Sequence, residues 1–353
     1  MPRVPHAEVT VDLGAVRHNV ATLVAKAGAA ETMAVVKADG YGHGLVPVAT
    51  AALQGGATWL GTAVLAEALA LREAGVTGRL LAWLAAPGED FAAALLADVD
   101  VAAYADWQLD EIAAAARTVQ RPARVHLKVD TGLGRGGVMP DQWRTTTEYA
   151  RRLEAEGALR VVGVWTHFAY ADAPGHPTIG AQLDTFAAAV EVAEDAGLRP
   201  EVRHAANSAA TLTLPQSHFD LVRPGLAVYG LSPVPEVASA AELGLRPAMR
   251  LTATVALVKQ VPAGQGVSYG HAYRTSTASR LALVPLGYAD GVPRHASGAG
   301  PVRVAGRTLP VAGRVCMDQV VLDVGDLDVQ PGSEAVLFSD GRDGEPTAQD
   351  WAD

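Results

Sequence analysis

From about residue 30 to 235, short apolar runs rich in β-branched residues alternate with Ala-rich amphipathic stretches. A parallel strand covered on both faces reads as a continuous apolar run, and the helix that returns the chain reads at period 3.6, so each pair is one βα unit. The runs are "TMAVVKA", "TWLGTAV", "RLLAWL", "VDVAAY", "ARVHLKVD", "VVGVWTHF", "EVRHAA" and "FDLVRPG". The clearest helix lies in "TIGAQLDTFAAAVEVAEDAGLRP", where Ile179, Leu183, Phe186 and Val190 share a face and Gly197 then Pro200 stop it. Eight units predict a closed (β/α)8 TIM-type barrel rather than an open sheet.

After the connector "LSPVPEVASAAELG" the pattern changes to Val-, Leu- and Thr-rich runs broken by Gly and Pro: "RLTATVALVKQV", "SRLALVPLGY", "PVRVAG", "RTLPVAGRV", "QVVLDVG" and "EAVLF". This predicts a second, mostly antiparallel β domain, with the barrel over residues 1–235 and the β domain over 236–353. A chain of 353 residues is long enough for two cores.

Composition narrows the function. With 49% hydrophobic and 19% charged residues the chain has ample material for packed cores. A net charge of −10 gives no nucleic-acid or anionic-lipid footprint, which favours a small-molecule partner. A lone cysteine, Cys316, and an N-terminus without signal-peptide character fit a reducing cytoplasm. No apolar stretch reaches membrane-span length, so no membrane embedding is expected.

In a (β/α)8 enzyme the chemistry gathers at the carboxyl ends of the strands, and phosphates sit beside the last loops. Lys37 ends the first run, Lys128, Asp130 and Arg135 end the fifth, and His167 ends the sixth. Asn207 and Ser208 follow the seventh, and Arg223 and Gly225 end the eighth. Lys37 reads either as a surface lysine just past its strand or, at a desolvated mouth, as a nucleophile toward a carbonyl. Ser208 reads as a helix cap or, with Gly225, as half of a phosphate cup. His167 is either a satisfied core residue or an orienting group. "GLGRGG" formally matches a dinucleotide fingerprint but sits in the fifth unit, where a tight turn presenting Arg135 is the simpler reading. The histidines show no metal-ligand spacing, so no metal is expected.

Eight blocks, "VVKADGYGHG", "KVDTGLGRGG", "HFAYAD", "ANSAAT", "VRPGLAVYG", "VSYGHAY", "PLGYADGVPR" and "GRVCMDQ", resemble those of the bacterial alanine racemases in order and cover nearly the whole chain. That family uses pyridoxal 5′-phosphate on a (β/α)8 barrel followed by a β domain. The resemblance implies that Lys37 holds the cofactor as an aldimine and that Tyr41, Ser208 and the backbone of Gly225 and Leu226 receive its phosphate. Arg223 would face the pyridine nitrogen without protonating it, and Arg135 would approach the substrate carboxylate, with Lys128 as a possible carbamate bridging to it. Racemisation needs acid/base groups on both faces of a planar carbanion. The resemblance makes these Lys37 and Tyr269, the latter tuned by His167 and Arg223. Without the resemblance, Tyr269 reads as a strand aromatic.

The family further implies a homodimer in which Tyr269, Met317 and Asp318 reach the neighbouring subunit's barrel. Asp172, Tyr288, Arg294 and Arg314 would line a substrate corridor. The family also continues past a stretch like "TAQDWAD", so the β domain is expected to lack its last segment. The expected activity is interconversion of L- and D-alanine for cell-wall peptidoglycan. A broader amino-acid racemase, a decarboxylase on the same barrel, and a non-catalytic cofactor- or inhibitor-binding protein are the alternatives.

Overall fold

The computed structural model describes residues 5–352. The chain forms two compact units, Leu13–Arg246 and Met1–Asp12 with Pro247–Asp353. Strand β1 (Ala7–Val11) belongs to the second unit.

The first unit holds β2 (Glu31–Val35), β3 (Trp59–Thr62), β4 (Arg79–Ala82), β5 (Asp100–Ala103), β6 (Ala123–Lys128), β7 (Leu159–Trp165), β8 (Val202–His204) and β9 (Leu221–Val222). Each of the eight apolar runs supplies one of them. The sheet order is β8-β7-β6-β5-β4-β3-β2-β9, and the pairings are parallel. The β8/β9 seam carries no regular ladder. Instead the Asp220 N–H donates to the Arg203 carbonyl at 3.1 Å and the Arg223 N–H to the Ala206 carbonyl at 2.9 Å. Arg203 adds two guanidinium bonds to the Asp220 carboxylate, which ties the two short strands together. The result is a near-closed (β/α)8 barrel.

Met33, Trp59, Leu81, Ala102, Trp165, Val202 and Leu221 pack together at the barrel centre. The helix expected within 178–200 runs Pro177–Asp195, and Gly197 takes the left-handed φ of 91° that ends it. Its buried face is rotated slightly from the apolar reading, because Gln182 is 1% exposed while Leu183 is only half-buried. Gln182 holds that position by bonding: its amide donates to the Thr131 hydroxyl and the His167 carbonyl and accepts the Ala169 N–H.

The amino ends of the strands are tied by charge. Glu201, just before β8, meets Arg79 at 2.6 Å, Arg124 at 3.1 Å and Arg160 at 3.1 Å, and Arg124 also holds Asp100 at 2.8 Å. Burial alone would raise the Glu201 pKa, but hydrogen bonds from Arg124 and Arg79 outweigh it and hold it at about 2.

In the second unit β1 pairs antiparallel with β10 (Met249–Thr254), and β11 (Leu257–Val261) follows. The hairpin of β12 (Gly266–Val267) with β13 (Tyr273–Arg274) comes next. The remaining strands are β14 (Ser279–Val284), β15 (Pro301–Val304), β16 (Arg307–Pro310), β17 (Val320–Asp323) and β18 (Glu334–Phe338). They form sheets β1-β10-β18-β15-β16 and β11-β14-β17, all antiparallel, around a core that includes Val284, Val302, Leu322 and Leu337. Among the described residues no helix is long and apolar enough to cross a membrane.

The division between units departs from the expected one at both ends. Residues 7–11 leave the barrel because β1 fills the edge of the five-stranded sheet. Residues 236–246 stay with the barrel because Asn19 clasps Arg246: its amide donates to the Arg246 carbonyl and accepts the Arg246 N–H, both at 2.8 Å.

The Glu201 contacts carry a pH signature. A carboxylate whose pKa is depressed on folding contributes stability above its unfolded value and loses it as pH falls toward the folded one. Replacing Glu201→Gln is therefore expected to lower the urea midpoint at neutral pH. The gap to the parent should close as pH falls from about 4.5 to about 2; a gap that persists unchanged at the acid end refutes the assignment.

Candidate active site

A cavity of about 670 Å³ opens in the barrel unit, lined by residues that follow the carboxyl ends of its strands. Lys37, Tyr41, Lys128, Arg135, His167, Asp172, Asn207, Ser208, Arg223, Gly225 and Leu226 all border it. Of the barrel residues singled out from sequence, all but Asp130 thus share one pocket.

Lys37 is half-buried and stands two residues past the end of β2. The next four residues, Ala38, Asp39, Gly40 and Tyr41, hold φ of 54°, 53°, 62° and 54°, one turn of left-handed helix. For a non-glycine residue this geometry costs roughly 1–2 kcal/mol. The turn persists because its amides are collected by one carboxylate. Glu67 accepts the Ala38 N–H at 2.5 Å, the Asp39 N–H at 3.3 Å and the Ala63 N–H at 3.2 Å. The Asp39 carboxylate in turn accepts the Leu45 N–H at 2.7 Å. The turn brings the Lys37 amine within 5.9 Å of the Tyr41 ring centre, and Tyr229 packs on that ring at 4.7 Å while donating to the Val35 carbonyl. Desolvation raises the pKa of Tyr41, which keeps its hydroxyl protonated as a donor.

At the β8 and β9 ends, Asn207 rather than Ser208 caps the short helix Ser208–Thr213, accepting the Ala210 N–H. That leaves Ser208 free to bond elsewhere. Its oxygen accepts the N–H groups of Gly225 at 2.8 Å and Ala227 at 3.2 Å, so the hydroxyl proton remains for another acceptor. A side chain at Gly225 would collide with the Tyr41 hydroxyl, so only glycine lets this loop approach.

Arg223 is 5% exposed and, among the described residues, forms no ion pair with a carboxylate. Its guanidinium donates to the Thr166 carbonyl at 2.7 Å, the Ala205 carbonyl at 3.2 Å and His204 Nδ1 at 2.9 Å, and reaches His167 Nδ1 at 3.4 Å. Burial lowers its pKa to about 9, which still leaves it cationic at neutral pH. Burial and the neighbouring cations, Arg223 foremost, push His167 down to about 3, so its imidazole is neutral. Lys128 lies 4.7 Å from the Trp165 ring centre, and desolvation, then Arg135 and Arg223, lower it to about 8.

The glycine turn after β6 is not a nucleotide cradle. Asp130 fills it, its carboxylate accepting the N–H groups of Gly132 and Leu133 at 2.9 Å and Gly134 at 3.1 Å. The turn presents Arg135, exposed, to the cavity.

Tyr269, Met317 and Asp318 lie in the other unit. Tyr269 is 69% exposed and Met317 53%. The loops around them are knitted together: Ser268 Oγ donates to the Arg314 carbonyl, and the N–H groups of Tyr288 and Ala289 donate to the Cys316 and Met317 carbonyls. Arg294 lies exposed on a separate short turn of that unit.

Sequence reading missed Glu67, whose carboxylate serves backbone rather than cavity, and the interior side chains Arg124 and His126. The latter had a signal. In "ARVHLKVD" the polar residues Arg124, His126, Lys128 and Asp130 alternate strictly with apolar ones, the period of a strand with one polar face.

A (β/α)8 barrel whose rim gathers a lysine, an unpaired arginine and hydroxyl donors over a glycine loop defines a binding protein for a small anionic ligand. The comparisons make the class specific. The chain matches the model for the alanine racemase N-terminal domain over residues 11–233 and for the alanine racemase C-terminal domain over 248–353. An alanine racemase of Frankia casuarinae is 62% identical over 342 residues, 97% of this chain and 89% of that protein. The crystal structure of alanine racemase from Streptomyces lavendulae is 56% identical, with a TM-score of 0.98, over 99% of this chain and 92% of that one. That from Bacillus anthracis, described with bound L-Ala-P, is 36% identical with a TM-score of 0.89 over 100% and 90%. This chain belongs to the alanine racemase family.

The left-handed turn yields a stability test. Glu67→Ala is expected to cost about 1–3 kcal/mol by freeing amides that one carboxylate now satisfies. Adding Ala38→Gly should recover part of that loss, since glycine adopts positive φ without penalty. Chemical denaturation of the two single variants and the double variant measures it; simple additivity with no recovery refutes the strain account.

Proposed function

We propose that the chain interconverts L- and D-alanine with pyridoxal 5′-phosphate. The observation that carries this reading is the single pocket joining the Lys37 amine to the carboxylate-free Arg223, the Ser208 and Tyr41 hydroxyls and the bare Gly225 loop. The fit to the cofactor rests on these features. A phosphate finds donors at the Tyr41 and Ser208 hydroxyls and at the Leu226 backbone, beside a Gly225 whose N–H is held by Ser208 Oγ. A pyridine nitrogen facing Arg223 meets a group that donates a hydrogen bond and keeps its own proton. An aldehyde finds an amine at Lys37. Once bound, the cofactor supplies the electron-withdrawing ring that acidifies the substrate's α-carbon.

The chain's own residues divide the remaining work. Lys37 takes or delivers the α-proton on one face, and Tyr269 does so on the other. Arg135 orients the substrate carboxylate, and a neutral His167 accepts from Arg223 through Nδ1, which places its own proton on Nε2. Because Arg223 would keep its proton, it would leave the ring nitrogen of a bound cofactor unprotonated, and charge would then be drawn from the α-carbon less fully, limiting competing transamination. Tyr269 resides in the second unit, and we propose that it serves the barrel of a second copy in a homodimer, with Met317 and Asp318 beside it. Lys128, with its lowered pKa, is suited to react with carbon dioxide as a carbamate toward Arg135.

Incubation with D-alanine in deuterated water is expected to give L-alanine carrying deuterium at the α-carbon; absence of both product and exchange refutes the reading. Lys37→Ala and Tyr269→Phe should each lose most activity. If the site is shared between subunits, mixed dimers of these two variants contain one intact site, and a random mixture should regain about a quarter of parental activity. No recovery after demonstrated subunit exchange refutes sharing.

A further inference from the structure

Asp100 opens β5, far along the barrel interior from the pocket end of β9, and a line of hydrogen bonds joins the two. Arg223 Nη1 meets His204 Nδ1 at 2.9 Å, His204 Nε2 meets His126 Nδ1 at 2.8 Å, and His126 Nε2 meets the Asp100 carboxylate at 3.3 Å. Both imidazoles are 0% exposed and Asp100 is 5% exposed. Trp165 stacks on His204 at 5.5 Å with rings 6° apart, and Trp59 meets His126 edge-on at 5.5 Å.

The two ends dictate where every proton lies. A guanidinium only donates, so His204 Nδ1 must accept and the His204 proton sits on Nε2. That proton points at His126 Nδ1, which must therefore accept, leaving the His126 proton on Nε2, aimed at a carboxylate that only accepts. The reverse polarity would set an imidazole N–H against a guanidinium N–H. A doubly protonated His126 would set two donors against each other at its Nδ1. One arrangement survives, with both rings neutral.

The fold is built around this line. A side chain at Gly163 would occupy the space of the His126 ring, so β7 has a glycine where the ring lies, and the β6/β7 register shifts between Val125 and His126.

We propose that His126 and His204 are positioning residues, a polarised relay through which Asp100 anchors the Arg223 guanidinium from outside the pocket. The inference rests on the role given above to Arg223. A carboxylate placed directly against Arg223 would hold it equally well but would add negative charge where a phosphate and a substrate carboxylate must bind. With one Asp100 oxygen held by Arg124 and the other facing His126 Nε2, two neutral rings let the carboxylate orient Arg223 while the pocket keeps its positive character.

Protein labelled with ¹⁵N-histidine and loaded with pyridoxal 5′-phosphate tests the polarity directly through two-bond ¹H–¹⁵N correlations at neutral pH. The expected result is a bare Nδ1 and a protonated Nε2 on both His126 and His204. A proton on Nδ1 of either ring, alone or as a second proton, overturns the relay. In kinetics, His126→Phe is expected to lower kcat about ten-fold or more, the scale of a hydrogen bond to a charged group, with KM for D-alanine within about two-fold. Leu109→Ala, which weakens the barrel from the helix Asp106–Val119, outside the relay, should leave kcat unchanged. Equal kcat losses in the two variants, or none in His126→Phe, overturn the positioning role. A parent protein with the expected tautomers and no racemisation overturns the functional reading instead and supports the relay as structure.

Discussion

The structure turns on a guanidinium placed almost out of reach of water with no carboxylate beside it. Burying a charge without a counter-ion is among the most unfavourable acts a fold can perform unless its hydrogen bonds are complete. Arg223 meets that demand with the Thr166 and Ala205 carbonyls, an imidazole nitrogen and the face of Trp165, 4.9 Å from its carbon centre. Each partner comes from a neighbouring strand end, so the cation can be satisfied only when β7, β8 and β9 are correctly assembled. The short β8/β9 seam, which lacks a ladder of its own, is closed by bonds that flank this residue.

A second constraint sits on the adjoining strand, where the chain leaves β2 through a left-handed turn. An ordinary right-handed helix starting at Lys37 would carry the lysine and Tyr41 away along a different path. The left-handed turn keeps both at the mouth, and Gly40, whose Cβ would lie 3.2 Å from Val48, lets it fold against the following helix. Glu67 offsets the strain from outside the cavity, as Asp100 steadies Arg223 from outside it. In both places a carboxylate supports a pocket group without entering the pocket.

How much of this was legible in the sequence depends on the range of the interaction involved. Strand identity is local, and all eight barrel runs and the β-rich character of the second unit could be read from periodicity alone. Lys37, His167 and Arg223 were legible because strand ends in such a barrel converge by topology. Tyr269, Met317 and Asp318 were not, because no periodicity or spacing ties a turn of the β unit to a barrel, and only family resemblance singled them out. The unit boundary failed because β1 pairs with β10 some 240 residues away, a contact without local signature. Ser208 was read in two roles, and the structure removes the first, because the preceding residue, Asn207, takes the cap. His126 was missed although its alternation with Arg124 and Lys128 was in plain view, because barrel strands are expected to bury apolar residues on both faces.

The pocket's charge explains why so much support is placed outside it. Lys37, Lys128, Arg135 and Arg223 border one cavity, and burial first, then the neighbouring cations, lower the pKa of Lys128 and His167. Such a cluster stores repulsion in the empty state, and an anionic ligand relieves it on entry. Stability and ligand affinity are then two readings of one free energy: what the fold gives up by assembling like charges returns as binding. A carboxylate set directly against Arg223 would relieve the repulsion permanently and forfeit that return. Asp130, beside the rim, commits one carboxylate oxygen to three turn amides and so fixes the shape of the turn that presents Arg135.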